Sequence, residues 1–313
     1  MLAYVLRRVL AAIPVMGVVA LFVFLLLRLT PGDPAAIIAG DTATPAQLEA
    51  IRTSLGLDKP IPVQFLTWIS QLAHGDLGTS LISKTPVTTL IGQRLGPTLN
   101  LALVTMVLSI LIAVPMGVLA AWKHGTLIDN LVMALCVLGF SVPVFVIGYV
   151  LIQVFAINLR WFPVQGFSTI ANGIGPFAQR ATLPAFTLAS IYVALIARMT
   201  RASLLDVLGE DYIRTARAKG VGERIVLFRH ALRNSAVPIL TVIGTGFALL
   251  ISGVVVTESV FNIPGLGRLI VDAVLARDYP VIQGLILLTS GIYVFINLMV
   301  DLSYSLLDPR IRY

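Results

Sequence analysis

Charged side chains at helical spacing gather in one long stretch, GEDYIRTARAKGVGERIVLFRHALRN, from Gly209 to Asn234. Leu205, Leu208, Tyr212 and Ala216 fall at helical intervals and predict an apolar stripe, with Ile213 beside it. Asp206, Glu210, Asp211, Arg214 and Arg217 take the other faces, with Glu210 and Arg214 at the spacing of a favourable ion pair. Lys219 and Gly220 supply a basic last turn and a glycine able to close the helix in a left-handed conformation. A second helix, from about Glu223 to Asn234, presents Ile225, Leu227, Phe228 and Leu232. A rigid helix–glycine–helix knob of this kind docks; it does not catalyse. Three settings compete for it: a solvated loop, a helix lying on anionic lipid, or a groove in a protein partner. The helix signals argue against the first. Asp206, Glu210 and Asp211 would be repelled by an anionic leaflet, so a protein partner fits best.

Sequence signatures of enzymatic chemistry are absent. There is no G-x-x-x-x-G-K-[ST] run to cradle a nucleotide phosphate, no H-E-x-x-H and no G-x-S-x-G. His74, His124 and His230 lie in separate connections, so no shared metal site is expected. The single cysteine, Cys136, has no internal disulfide partner and reads as a small apolar filler. A basic stripe interleaved with aromatics, as nucleic-acid binding requires, is missing too. The expectation is a chain that is not an enzyme, with no catalytic, cofactor-binding or metal-ligating residues.

The elements that must carry the knob are apolar. The chain has 313 residues, 58% apolar and only 12% charged, with a mean hydropathy of +0.95. Soluble domains carry about 25% charged residues, so a multi-pass membrane protein is expected. Charge-free intervals run over 9–27, 95–122, 130–159, 181–197, 234–257 and 279–300. A helix needs about 20 apolar residues to cross the hydrocarbon, and these intervals predict six transmembrane helices. The 17-residue fourth interval is the marginal one; Met199 and the stem of Arg198 extend it by snorkelling. Arg7 and Arg8 precede the first interval as in a signal peptide, but its 19 residues and the LTPGDP that follows favour a retained span. Segments 1–8, 123–129, 198–233 and 301–313 hold 13 Lys and Arg, against four in 160–180 and 258–278. Both termini and the charged stretch are therefore expected in the cytoplasm.

On the outer side, 29–94 predicts two amphipathic helices. Thr44 to Gln47 forms a capping box with Pro45 at the first helical position, followed by Leu48, Ile51 and Leu55 on one face and Gly56 as a closing glycine. Phe65, Leu66, Ile69 and Leu72 mark the second helix, ending at His74-Gly75. The insertion reads equally as packing over the spans or as a docking surface. Beyond NIPGLG, the residues Leu269, Ile270, Ala273, Val274 and Ala276 predict a further helix, either a surface helix or a re-entrant one beside a pathway. No ionisable residue is expected deep in a span, where ion-coupled carriers keep theirs. Pro115, Pro143 and Pro184 are expected to kink their helices.

EDYIRTARAKG, followed by RHALRN and Pro238, resembles the cytoplasmic coupling segment of ABC importer permeases in the dipeptide, oligopeptide, glutathione and nickel branch. PGDP (Pro31–Pro34), LGLDKP, GDLG, FNIPGLG, RDYPVIQ and the C-terminal DPRIRY resemble that branch in the same order, over nearly the whole chain. Arg214-Thr215-Ala216 stands where the broader permease pattern has Glu-Ala-Ala, and Ala216 and Gly220 match best. The resemblance implies an all-α membrane protein with a first span over 1–30, an external insertion over 31–94 and a five-span core over 95–313 with the coupling segment at 198–234. It also implies that Glu210, Asp211, Tyr212, Arg214, Thr215, Ala216, Arg217, Ala218, Lys219 and Gly220 contact a partner ATPase. Asp33, Phe261, Asn262, Pro264, Gly265 and Gly267 are the implied external docking or gate positions. Implied partners are a paralogous permease, two ABC ATPases carrying ATP and Mg, and an extracytoplasmic solute-binding protein, in a bacterial inner membrane. The expected cargo is a short peptide; a nickel-chelate importer, or an energy-independent channel or carrier, are the alternatives.

Overall fold

The computed structural model describes residues 2–29, 35, 44–54 and 56–307. Asp33, the PGDP run, Leu55 and DPRIRY therefore lie outside the described residues. The described residues are mainly helical, with no strand among them beyond one isolated bridge, Thr79 to Pro86.

Thirteen helices are labelled in chain order: α1 Leu2–Leu29, α2 Pro45–Ser54, α3 Ile61–Ala73, α4 Val87–Trp122, α5 Leu127–Ser141, α6 Val144–Leu151, α7 Ile174–Leu208, α8 Asp211–Ala218, α9 Glu223–Asn234, α10 Ala236–Gly253, α11 Val255–Val260, α12 Leu266–Leu275 and α13 Tyr279–Leu307. A π turn, Ile152–Asn158, continues α6, and another, Val226–Ala231, forms the middle of α9. Among the described residues, four helices are long and apolar enough to cross a membrane: α1, α4, α7 and α13. Two further spans arise if each bent pair counts as one: α5 with α6, at 100°, and α9 with α10, at 57°. Four of the six expected intervals thus reappear as single long helices; 130–159 is broken at Pro143, and 234–257 begins with α10, after the bend that separates it from α9.

Of the three prolines expected to kink their helices, one stands at a break and two lie inside unbroken helices. Pro143 follows α5 directly, where it cannot donate an N–H to a continuing helix, and the chain turns there. Pro115 and Pro184 sit inside uninterrupted α4 and α7.

The chain divides into two compact units. One is built chiefly from 96–268 and 293–313. In it α5 runs antiparallel to α7, and Gly139 lets the backbones approach: a Cβ there would lie 2.9 Å from the carbonyl oxygen of Ser190. Gly117 of α4 meets Ala197 and Thr200 of α7 in the same way. On α10 and α13, the Thr241 and Tyr304 hydroxyls share a 2.7 Å hydrogen bond. Such small-residue contacts and hydroxyl bridges are what hold helices together where apolar burial alone gives no preference over lipid. Exposed Leu103, Leu111, Leu131, Leu135 and Leu138 face outward, as lipid contact requires.

The other unit is 2–95 with 269–292. The capping box forms: the Thr44 N–H donates to Gln47 Oε1 at 2.9 Å, and the Gln47 N–H returns to Thr44 Oγ1 at 3.4 Å. Phe24 of α1 is buried against Phe65 and Trp68 of α3, with ring centroids 5.2 and 5.6 Å away. The inward face of α3 is therefore Phe65, Trp68, Ile69 and Leu72. Leu66, expected on that face, is 67% exposed; its position lies a full 100° of helical turn from Phe65, and Trp68 takes its place. Asp278 of RDYP holds the turn that follows GDLG: its carboxylate accepts from Ser80 Oγ at 2.5 Å and from the Leu81 N–H at 3.0 Å.

Candidate functional site

The charged stretch does not form a single amphipathic helix with the end of α7. The helix stops at Leu208, Gly209 and Glu210 turn the chain, and α8 starts at Asp211. The stripe drawn through Leu205, Leu208, Tyr212 and Ala216 is therefore cut in two. Its inward anchor is Ile213, fully buried, while Tyr212 is 43% exposed and Ala216 half-buried. The break also changes the ion pairs. Glu210 becomes the N-cap, outside the helical register, and Arg214 pairs with Asp211 at 3.1 Å instead. Both partners are exposed, so this pair contributes little.

The glycine turn is as expected. Gly220 has φ +78°, the Gly220 N–H donates to the Arg217 carbonyl at 2.9 Å, and the Val221 N–H to that of Ala216 at 3.2 Å. That closes α8 and sends α9 back at an angle. Two side-chain bridges fix the angle: Arg217 to Glu223 at 2.7 Å, and Asn234 Nδ2 donating to the Tyr212 hydroxyl at 2.7 Å. Val226, Leu227 and Ala231 turn inward along α9, leaving Ile225 and Phe228 more than half exposed. Of the four apolar residues expected to be presented, Leu227 and Leu232 are turned in. The outer surface of the knob carries Tyr212, Ile225 and Phe228 among Asp211, Arg214, Thr215, Arg217, Ala218 and Lys219, all exposed. Its base is a small core of Val118 and Ala121 from α4, Leu204 from α7 and Ala231 from α9.

A second constellation surrounds Glu258, which has no exposed surface. Its carboxylate accepts from Thr98 Oγ1 at 2.6 Å and from the Arg268 N–H at 2.9 Å. Thr98 in turn accepts from the Leu266 N–H at 2.8 Å. These two groups satisfy N–H donors in the first turn of α12 that no residue of that helix can reach. The loop FNIPGLG wraps the carboxylate so closely that a Cβ on Gly265 would overlap it, and one on Gly267 would sit 2.8 Å from the Val255 backbone. Phe261, Gly265 and Gly267 are buried, Pro264 is half-buried, and Asn262 is exposed at φ +52°. Within α12, Leu266, Leu269 and Ala273 face inward; Val274, expected on that stripe, and Ala276 just beyond the helix are exposed.

A third constellation joins Asp129 at the start of α5 to Arg201 of α7. Arg201 Nε and Nη2 reach the two Asp129 oxygens at 2.5 and 2.7 Å. The Gly125 N–H and His124 Nδ1 complete the shell, both at 3.0 Å. Sequence reading passed over Glu258 and Asp129 because each adjoins a charge-free interval, where an ionisable residue normally reaches solvent; Arg201 counted only toward the basic side, and Thr98 is an uncharged residue within its interval. Only the glycines following Glu258 hinted at a group needing room.

The profile of the family described as binding-protein-dependent transport system inner membrane component matches residues 113–313, and that of the corresponding N-terminal region matches 1–102. A "probable peptide ABC transporter permease protein" of Sinorhizobium fredii is 55% identical over 310 residues, covering 99% of each chain. A glutathione transport system permease protein of Pectobacterium atrosepticum is 45% identical over 314 residues, covering 100% of each. Among solved structures, an inward-facing methionine ABC transporter chain aligns with a TM-score of 0.59 at 17% identity, over 71% of this chain and 97% of that one. At that identity the likeness is one of fold.

Proposed function

The chain belongs to the family of binding-protein-dependent transport system inner membrane components, the multi-pass ABC importer permeases, and on that premise we propose that it carries short peptides into the cytoplasm, glutathione-like peptides included. The full-length similarity to peptide and glutathione permeases supports the cargo class. The observation that carries the mechanism is the knob: Tyr212, Ile225 and Phe228 stand exposed on a braced helix pair, in a chain with no phosphate-binding loop. Exposed aromatics ringed by charge suit a protein groove, and the family supplies ATPases with such grooves.

In this reading both termini and 198–234 face the cytoplasm, and α8 and α9 are the coupling helices. Two partner ATPases, holding ATP and Mg, close on each other and carry the knobs of two permease subunits with them. The motion alternates the path between inward-open and outward-open states. The second permease is a paralogue. On the outer side, 31–94 and the loop around Asn262 and Pro264 receive a solute-binding protein, and Glu258 keeps that loop in shape. The test is uptake by proteoliposomes holding the complex, its ATPases and its binding protein. Labelled di- and tripeptides should accumulate only with ATP inside the ATPase compartment; equal uptake without ATP would refute the importer reading.

A further inference from the structure

The base of the knob packs α4, α7 and α9 together through Val118, Ala121, Leu204 and Ala231, and Ser235 Oγ donates to the Ser203 carbonyl at 3.0 Å. No member of that cluster comes from α5. Yet α5 leads into the 100° bend at Pro143, the sharpest break among the spans. What, then, makes α5 follow the knob?

Two contacts bracket the α5–α7 interface. At one end Gly139 lies against Ser190. At the other, Asp129, 2% exposed, is gripped by Arg201. Beside them runs an open groove of about 270 Å³, lined by Ile112 and Met116 of α4, Cys136 and Gly139 of α5, and Ala189 and Val193 of α7. Val132 is the one buried apolar side chain of α5 between Asp129 and that groove. The groove leaves the α4-facing side of α5 without interlocking side chains, so the directional contact that α5 makes with α7 is the Asp129–Arg201 pair. A bidentate Arg–carboxylate pair fixes both distance and orientation, and buried pairs of this kind specify geometry more than they add stability.

We propose that Asp129 and Arg201 form a positioning latch that makes α5 move as one body with α7 and the knob, so that ATPase-driven motion reaches the bend at Pro143. The inference rests on reading the knob as the coupling segment. The latch touches no cargo; it acts by holding α5.

The experiment uses the intact complex in proteoliposomes, with Asp129→Cys and Arg201→Cys in a Cys136→Ala background that itself transports normally. ATP hydrolysis and peptide uptake are measured before and after the two thiols are joined by a short bis-thiol reagent about the length of an arginine side chain. Unjoined, the complex should assemble and hydrolyse ATP while uptake per ATP falls at least tenfold. Joining should restore it to within about twofold. Normal coupling in the unjoined variant would overturn the latch, as would a bridge that fails to restore uptake or abolishes it. Loss of assembly in both forms would assign the pair to folding alone and overturn it equally. Absence of ATP-driven uptake by the unsubstituted complex would refute the importer reading first, and the latch with it.

Discussion

Replacing Thr98 by valine should loosen the outer loop by an amount the structure allows to be worked out. Thr98 Oγ1 donates to Glu258 at 2.6 Å and accepts from the Leu266 N–H at 2.8 Å. Valine has nearly the same shape, so no cavity opens and the change isolates the hydroxyl. Losing a hydrogen bond to a carboxylate costs about 1.5–3 kcal/mol, and stranding a buried N–H costs about 1–3 kcal/mol more. Together that is on the order of 4 kcal/mol, with Glu258 still held by Arg268. At about 2–4 °C per kcal/mol for a chain of this class, Tm should fall on the order of 10 °C. Cys136 provides the assay: it is the only cysteine and is buried, so a thiol-reactive dye reports unfolding of the purified chain in detergent. Thr98→Ser, which keeps both bonds and loses only a buried methyl worth about 0.8 kcal/mol, should stay within about 4 °C of the parent by the same scale. If Thr98→Val unfolds with the parent and Thr98→Ser, the hydroxyl does not anchor the loop and the reasoning about Glu258 is wrong.

Gly265→Ala places a methyl group onto the Glu258 carboxylate; it should destabilise more than Thr98→Val in the same dye assay. Asp278→Ala removes the acceptor of Ser80 and Leu81; hydrogen exchange should accelerate over 76–86 by roughly tenfold or more, matching about 1–3 kcal/mol for the lost bonds, while α7 exchanges as before. A Cβ at Gly220 meets no atom within 4 Å, so the intrinsic cost of Gly220→Arg is that of the positive φ, about 1–2 kcal/mol. The variant should therefore insert and fold, yet lose ATP-driven uptake, because the new side chain stands on the face offered to the ATPase; normal uptake would remove Gly220 from that contact. Tyr212→Phe loses only the exposed bond from Asn234 and should shift stability by under about 1 kcal/mol, measured by the same dye.

What was legible in the sequence was set by composition and by turn chemistry. Runs without charge have one solution in lipid, so four of the six intervals emerged as single long helices, and the other two reach span length only as bent pairs. Thr44 with Gln47, and Gly220 at positive φ, follow from local geometry and formed as expected. Periodicity failed at Gly209, because a helical stripe read through one residue cannot register a cap: Glu210 leaves the helix and Asp211 restarts it, moving Ile213 inward. It failed again on α3, where Trp68 displaces Leu66 by virtue of Phe24, a contact across 44 residues of chain. Glu258 with Thr98, 160 residues apart, and Asp129 with Arg201, 72 apart, are partnerships that no local pattern encodes. Gly265 and Gly267, expected as external docking or gate positions, have the geometry of making room for Glu258.

The central claim is that this chain works only with ATPases gripping its knob. The direct measurement is a mild-detergent purification of the tagged chain from its native membrane, with its stoichiometric companions identified. The account predicts an ATPase carrying G-x-x-x-x-G-K-[ST] together with a second six-span chain, and loss of the ATPase when Tyr212 and Phe228 are both changed to Asp. A chain that purifies alone, or as a homo-oligomer without an ATPase, would contradict it.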